Sequence, residues 1–210
     1  MNIYLVRHGE STSNRDALIQ GQSDTQLTIL GKEQAKLIAK RLKNFKFDYI
    51  YSSPLKRAKK TANQINYYQN KNLILDDRLM NIHRGKWTGK KKSEMDFSTL
   101  QGTNLERRTP GGESMIEFDK RVSEFIDDLI KKHKDSKDNI LIVSHSGVTK
   151  MLLKNIFDIK LNKSNKIKKS HNCAFYHIDY TKDKAEYIID NCNKHITESN
   201  KLNNEHKEVE

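Results

Sequence analysis

Cysteine is nearly absent from this chain: two of 210 residues, Cys173 and Cys192, carry a thiol. Two are too few for a disulfide framework and lie too far apart in sequence for a metal hook, so they read as buried or incidental thiols. Long apolar runs are missing too. Nothing approaches the roughly 20 consecutive apolar residues that cross a bilayer, and the strand-like run at Asn2 has no basic, apolar leader before it. The expectation is a cytoplasmic protein with no membrane partner. Arginine is scarce, with nine against 30 lysines. A nucleic-acid binder would show arginines interleaved with aromatics or a recognisable reading motif, and neither is present, so no nucleic-acid partner is expected.

What the chain has in excess is positive charge: 39 basic against 27 acidic residues leave a net +12. The lysines are spread along the chain, with clumps at Lys90 to Lys92, Lys131 to Lys134 and Lys166 to Lys169. Such a field raises the encounter rate of an anionic substrate even where each lysine is only a solvated surface group. Hydrophobic residues make up 35% and recur from end to end, which is enough for one sizeable core. Length and pattern predict one domain over residues 1–192 and a polar tail at 193–210.

Strand-like runs at Asn2 to Val6, Asp48 to Tyr51, Leu73 to Leu75, Asn139 to Val143, Cys173 to Ile178 and Ala185 to Ile189 alternate with helical stripes. The stripes pass through Ala35, Ile38, Ala39 and Leu42, through Ala58, Ala62 and Ile65, through Met115 to Ile130, and from Val148 to Phe157. Pro54 is expected in the first turn of the second helix, and Pro110-Gly111-Gly112 in a turn. Alternation of this kind predicts an α/β fold, a three-layer αβα sandwich around a mostly parallel sheet, with its ligand site outside the carboxyl ends of the strands.

Two of those strands end in histidine. His8 follows the first, flanked by Arg7 and Gly9, and His145 follows NILIVS in the same layout. Arginine presents a planar fork that matches phosphate oxygens, and a neutral imidazole is a competent nucleophile toward phosphorus. Nearby cations help to keep His8 deprotonated.

At these residues the chain resembles the histidine phosphatase superfamily, also called the phosphoglycerate mutase-like family. LVRHGESTSN, GQSDTQLTILGKEQAKLIAKRL, YSSPLKRAKKTA, PGGES and LIVSHSGV are similar to that family's blocks and stand in its order, covering about Met1 to Asp158. The resemblance implies a phosphoglycerate mutase-like fold and a phosphohistidine formed at His8. It places Arg7, Arg57 and His145 on the phosphoryl oxygens, adds a hydrogen bond from Asn14, and requires no metal or other cofactor. For Asn14, and more so for Ser11 and Thr12, loop capping competes with that role.

One block departs from the family. Where relatives carry a glutamate four residues before the glycine matching Gly85, this chain has Asn81, within LMNIHRGKWTG. The family's glutamate protonates the leaving group and activates the hydrolytic water, and an amide does neither. His83, Asp76, Asp77 and Glu113 are the candidate substitutes. Three functions follow: a phosphomonoester hydrolase with weakened acid/base catalysis, a cofactor-dependent phosphoglycerate mutase, or a phosphate-ligand binding or sensing protein that has lost turnover. The mutase reading is the lesser enzyme reading, because classical mutases carry a long insertion where only a short stretch separates Asn81 from Glu113. The expected substrate is a phosphorylated small molecule or phosphopeptide, and the resemblance implies a variable, substrate-facing insertion at 84–112, where Arg84, Lys86, Lys90 to Lys92, Arg107 and Arg108 are available to a second acidic group.

Overall fold

A computed structural model describes residues 1–100, 102–181 and 184–196. The chain runs β1 (Asn2–Arg7), α1 (Thr12–Arg15), α2 (Ile29–Leu42), β2 (Tyr49–Ser52), α3 (Lys56–Asn66), β3 (Leu73–Leu75), α4 (Met115–His133), β4 (Asn139–Ser144), α5 (Ser146–Ile156), β5 (Phe175–Thr181) and β6 (Lys184–Cys192). The six strands form one sheet in the order β3-β2-β4-β1-β5-β6. β1, β2, β3 and β4 pair in parallel, and β5 and β6 add an antiparallel edge.

Alternation along the central strands sets the layers. Ile3 and Leu5 of β1 join Ile140 and Ile142 of β4 in one hydrophobic cluster, which packs against Phe118, Val122 and Phe125 of α4 and Val148 and Met151 of α5. Tyr4, Val6, Leu141 and Val143 point to the other face and meet Ile38 and Leu42 of α2 and Ala62 and Ile65 of α3. Strands buried on both faces read as continuous apolar runs, which is why β1 and β4 show no polar alternation. The expected αβα sandwich is what forms.

β1 and β4 lie side by side with Arg7 opposite Ser144. Because the two strands are parallel and in register, the residues that follow them, His8 and His145, emerge together. The chain leaves β1 toward α2 on one face and β4 toward α5 on the other, so the crevice between them is the switch point at which open α/β sheets bind ligands.

Several boundaries differ from the sequence reading. α3 begins at Lys56 with Leu55 at its N-cap, so Pro54 precedes the helix instead of occupying its first turn. β5 begins at Phe175, because Cys173 sits in the left-handed region at φ 55°. β6 is longer than Ala185 to Ile189. A short helix, α1, stands where loop was expected, closed by a capping box between Ser11 and Asn14. The 84–112 segment carries 3₁₀ turns at Gly85–Trp87, Lys92–Glu94 and Phe97–Thr99. The tail begins by docking: Ile196 is buried in the second cluster, and residues 197–210 lie outside the described residues. No described helix is long and apolar enough to cross a membrane.

The loop after β1 is pressed onto the start of α2. A Cβ on Gly31 would stand 1.9 Å from the Glu10 carbonyl oxygen, and one on Gly9 would stand 2.3 Å from that of Gly31. Thr28, the N-cap of α2, accepts from Gly31 N–H and donates to the Glu10 carboxylate at 2.8 Å. In an ordinary helix, Gly→Ala gains about 1 kcal/mol. Here backbone must move, so Gly31→Ala should reverse that sign and cost roughly 1–3 kcal/mol, read as an earlier midpoint in urea unfolding. Unchanged or raised stability would show that the loop is not clamped.

Candidate active site

His8 is buried, and its Nδ1 lies 2.7 Å from the carbonyl oxygen of Gly9. A carbonyl only accepts, so Nδ1 carries the proton and Nε2 of the neutral ring keeps its lone pair. The backbone around it is held from several sides. Gly9 N–H donates to Thr61 Oγ1 at 3.1 Å, Glu10 N–H to Gln34 Oε1 at 2.8 Å, and Asn172 Nδ2 to the His8 carbonyl at 2.9 Å.

The structure brings Arg7, Arg57 and His145 to the same place as His8. Arg57 is fully buried on α3 and donates to the carbonyls of Ser23 (2.7 Å) and Gly21 (3.0 Å). Arg7, also buried, donates to the Ser170 carbonyl at 2.5 Å. The rings of His8 and His145 lie 5.1 Å apart between centroids. His145 Nε2 meets Ser53 Oγ at 2.9 Å, while its buried Nδ1 has no hydrogen-bond partner among the described residues. Burial, then Arg57 and Arg7, hold the His8 pKa well below its ordinary 6.5 against the opposing pull of the Gly9 carbonyl. Burial and Arg57 do the same for His145, with His8 and Arg7 adding to the effect. Both rings are therefore neutral at pH 7, and a polyanion bound among these groups would meet two fixed positive charges.

Asn14 is engaged in local structure. Its Oδ1 accepts from Ser11 N–H at 3.2 Å and Ser11 Oγ at 3.1 Å, with Asn172 Nδ2 at 3.4 Å. This is the capping role weighed for it and for Ser11, in a loop that still borders the histidines. Thr12 opens α1.

Asn81 is buried, with its Oδ1 against Gly147, where a Cβ would approach to 3.0 Å. Its carbonyl accepts from Gln22 Nε2 (3.1 Å) and Arg121 Nη2 (3.3 Å). Arg121 Nη1 also binds the carbonyls of Arg78 and Met80, at 2.8 and 2.9 Å. Glu113 is committed elsewhere: its carboxylate takes both Nε and Nη2 of Arg121 at 2.9 Å and the His83 N–H at 2.8 Å. Asp76 is paired with Arg78, Asp77 is exposed and His83 is half-buried. Of the acid/base positions, Asn81 lines the adjoining cavity and Glu113 acts as a brace for Arg121.

That cavity has a volume of about 290 Å³. It adjoins the histidine cluster through Gly21, whose carbonyl binds Arg57, and through Ser146, which follows His145. Ser146 and Gly147 belong to the first turn of α5, the positive end of that helix. Among the described residues, no group of three His, Cys, Asp or Glu could hold a metal ion.

The profile of the histidine phosphatase superfamily (branch 1) matches residues 3–192. The chain belongs to that superfamily. Among its relatives, Phosphoserine phosphatase 1 of Hydrogenobacter thermophilus is 33% identical over 169 residues, 78% of this chain and 79% of its own length. A protein of an Enterobacter species named "Probable phosphoglycerate mutase GpmB" is 32% identical over 186 residues, 86% of this chain and 85% of that one. The solved structure of a phosphoserine phosphatase variant from Entamoeba histolytica, in complex with phosphoserine, superposes with a TM-score of 0.81 at 26% identity, covering 93% of this chain and 99% of that chain. The present chain is a phosphatase-type enzyme of this superfamily.

The residues that support the site carry little signal in the sequence. Ser53, which precedes Pro54, orients His145. Arg121 stands three residues after Phe118 on the buried face of α4, and a cation on an apolar stripe was the signal that could have found it. Thr61, Gln34, Asn172 and Ser170 show no comparable pattern.

The lowered histidine pKa values carry a sign. Below about pH 6.5 the unfolded chain binds protons that the folded His8 and His145 refuse, so stability must fall as pH drops from 7 toward 5 in anion-free buffer. Each proton contributes a slope of up to about 1.4 kcal/mol per pH unit. Unfolding free energies for wild type and His8→Asn between pH 5 and 7 should show the shallower slope in the variant. Equal slopes would mean that His8 titrates normally in the folded protein.

Proposed function

We propose that this phosphatase hydrolyses phosphate monoesters of small molecules through a phosphohistidine formed at Nε2 of His8, without a cofactor. The observation that carries the reading is the buried, neutral His8 with its Nδ1 proton directed to the Gly9 carbonyl, beside two buried guanidinium groups. Nε2 donates its lone pair to phosphorus while the bond from phosphorus to the ester oxygen breaks. Positive charge that develops on the ring falls on an Nδ1–H already held by a carbonyl. Arg7, Arg57 and the Nδ1 of His145 supply donors to the phosphoryl oxygens, and phosphoryl transfer asks the protein mainly for such positioning. Water then attacks phosphorus, the P–N bond breaks, and orthophosphate leaves with the imidazole restored.

Asn81 shapes the energetics of both steps. It stands at the cavity beside Gly147, where a carboxyl group could protonate the departing oxygen, and its amide cannot. The leaving oxygen must take its proton from solvent. Aryl esters, whose phenols have a pKa of about 10, leave far more readily than alkyl ones. A second reading, a phosphate-binding protein with negligible turnover, draws on the same amide.

Rapid-mixing and steady-state kinetics with 4-nitrophenyl phosphate and glycerol 2-phosphate test both readings. The expected outcome is aryl hydrolysis with a burst stoichiometric with enzyme, much slower alkyl hydrolysis, and loss of both in His8→Ala. Asn81→Glu should raise the alkyl rate by at least ten-fold, toward the roughly 10²- to 10⁴-fold that a positioned acid provides, with a smaller effect on the aryl burst. Binding without any burst or turnover would select the second reading. An alkyl rate indifferent to Asn81→Glu would refute the role given to the amide.

A further inference from the structure

The walls of the cavity beside the histidine cluster are largely apolar: Ile82, Trp87, Phe97, Met115, Phe118 and Met151 all line it. Trp87 and Phe97 meet edge-to-face with centroids 5.0 Å apart, giving one wall an aromatic surface. The charged lining is of one sign. Arg84, Lys92, Lys150 and Lys169 line the cavity, and among its described lining residues there is no aspartate or glutamate. The acidic side chains nearby in sequence are committed to local structure: Glu94 to the Lys91 N–H, Asp96 to Ser98, Glu113 to Arg121, and Glu117 to Ser114 and Arg108.

Lys150 lies on α5 one turn after Ser146 and Gly147, so it stands on the helix face that borders the site. Lys92 approaches from the 3₁₀ turn Lys92–Glu94 in the insertion. An ammonium group brought into this space would meet like charge and no carboxylate among the described lining residues. Like charges at contact distance repel even in bulk water, and several times more strongly near protein. An anion would meet attraction of the same order. The volume, at the lower end of small-ligand pockets, suits a one-ring or short-chain body.

We infer that the leaving group of the substrate has an apolar body, of about one ring, that ends in a carboxylate or other anion and carries no cation. This rests on the proposed hydrolytic reading only for which end of the molecule is phosphorylated. It separates this chain from the zwitterionic phosphoserine named for its relatives.

Two esters with the same kind of leaving phenol test it: 3-(4-phosphonooxyphenyl)propanoate, with an anionic tail, and O-phosphotyramine, with a cationic one. Their intrinsic reactivity is closely matched, so a difference in kcat/KM reports the pocket. At low ionic strength wild type should prefer the anionic tail by at least about ten-fold. The preference should shrink several-fold in Lys150→Gln and in Lys92→Gln. Dissociation constants of the same esters for His8→Ala, by calorimetry, should show the same order and supply the answer without turnover. If wild type hydrolyses neither ester while His8→Ala still selects the anionic one, the hydrolytic reading falls and the pocket assignment stands. Equal values for the two esters, or a preference for the cationic tail, would overturn the assignment. So would a preference unchanged by both lysine substitutions, since it would report the general field of a chain of net charge +12.

Discussion

The hydrogen bond from His8 Nδ1 to the Gly9 carbonyl is the contact on which the rest of the site depends. It decides which ring nitrogen keeps its lone pair, and it is possible only because the loop after β1 turns back tightly enough to present that carbonyl. The tightness has several sources: the Gly9–Gly31 approach, the Thr28 link to Glu10, and the bonds from Gly9 N–H to Thr61 and from Asn172 to the His8 carbonyl. Much of the architecture around the first strand thus serves one proton's position.

Around that ring the dominant physical fact is buried positive charge. Arginine cannot shed its proton, so Arg7 and Arg57 stay charged inside the fold. Backbone carbonyls of Ser170, Ser23 and Gly21 satisfy part of their hydrogen-bonding capacity. The adjustable groups respond instead, and both imidazoles stay neutral. Neutrality is what the nucleophile of the proposed mechanism requires, so the electrostatics that favour a phosphate would also prepare His8 for that role. The same logic extends into the cavity, where Lys92 and Lys150 continue the positive sign over apolar walls.

Much of this was legible in the sequence. The apolar runs of β1 and β4 and the stripe of α4 announced a doubly covered sheet, and the two strand-end histidines announced where its site lies. The blocks around Arg57 and His145 placed both residues in one pocket, and the structure brings them together. What could not be read depends on contacts between distant segments. Ser53 on His145, Asn172 on His8 and Arg121 on the 78–81 backbone are separated from their partners by tens of positions and obey no period. Boundaries failed where local rules were overridden. Pro54 is compatible with a helix start, yet Leu55 in extended backbone delays it, and Cys173 in a left-handed conformation holds back a β-prone run.

Asn81 combines both lessons. Its departure from the superfamily pattern is an expectation from sequence, and the structure places the residue at the cavity with its carbonyl held by Arg121 and Gln22. On the proposed reading the position is kept while the proton is gone. In the proposed mechanism catalysis then rests on His8 and the cations around it, and the identity of the reacting nitrogen is the claim from which the rest follows. Incubation with an aryl phosphate, quenching in alkali and ³¹P-detected NMR of the trapped protein tests it most directly. The account predicts a single phosphoramidate on Nε2 of His8, absent from His8→Ala. Phosphate on Nδ1, on another residue, or on no residue while hydrolysis proceeds would contradict it.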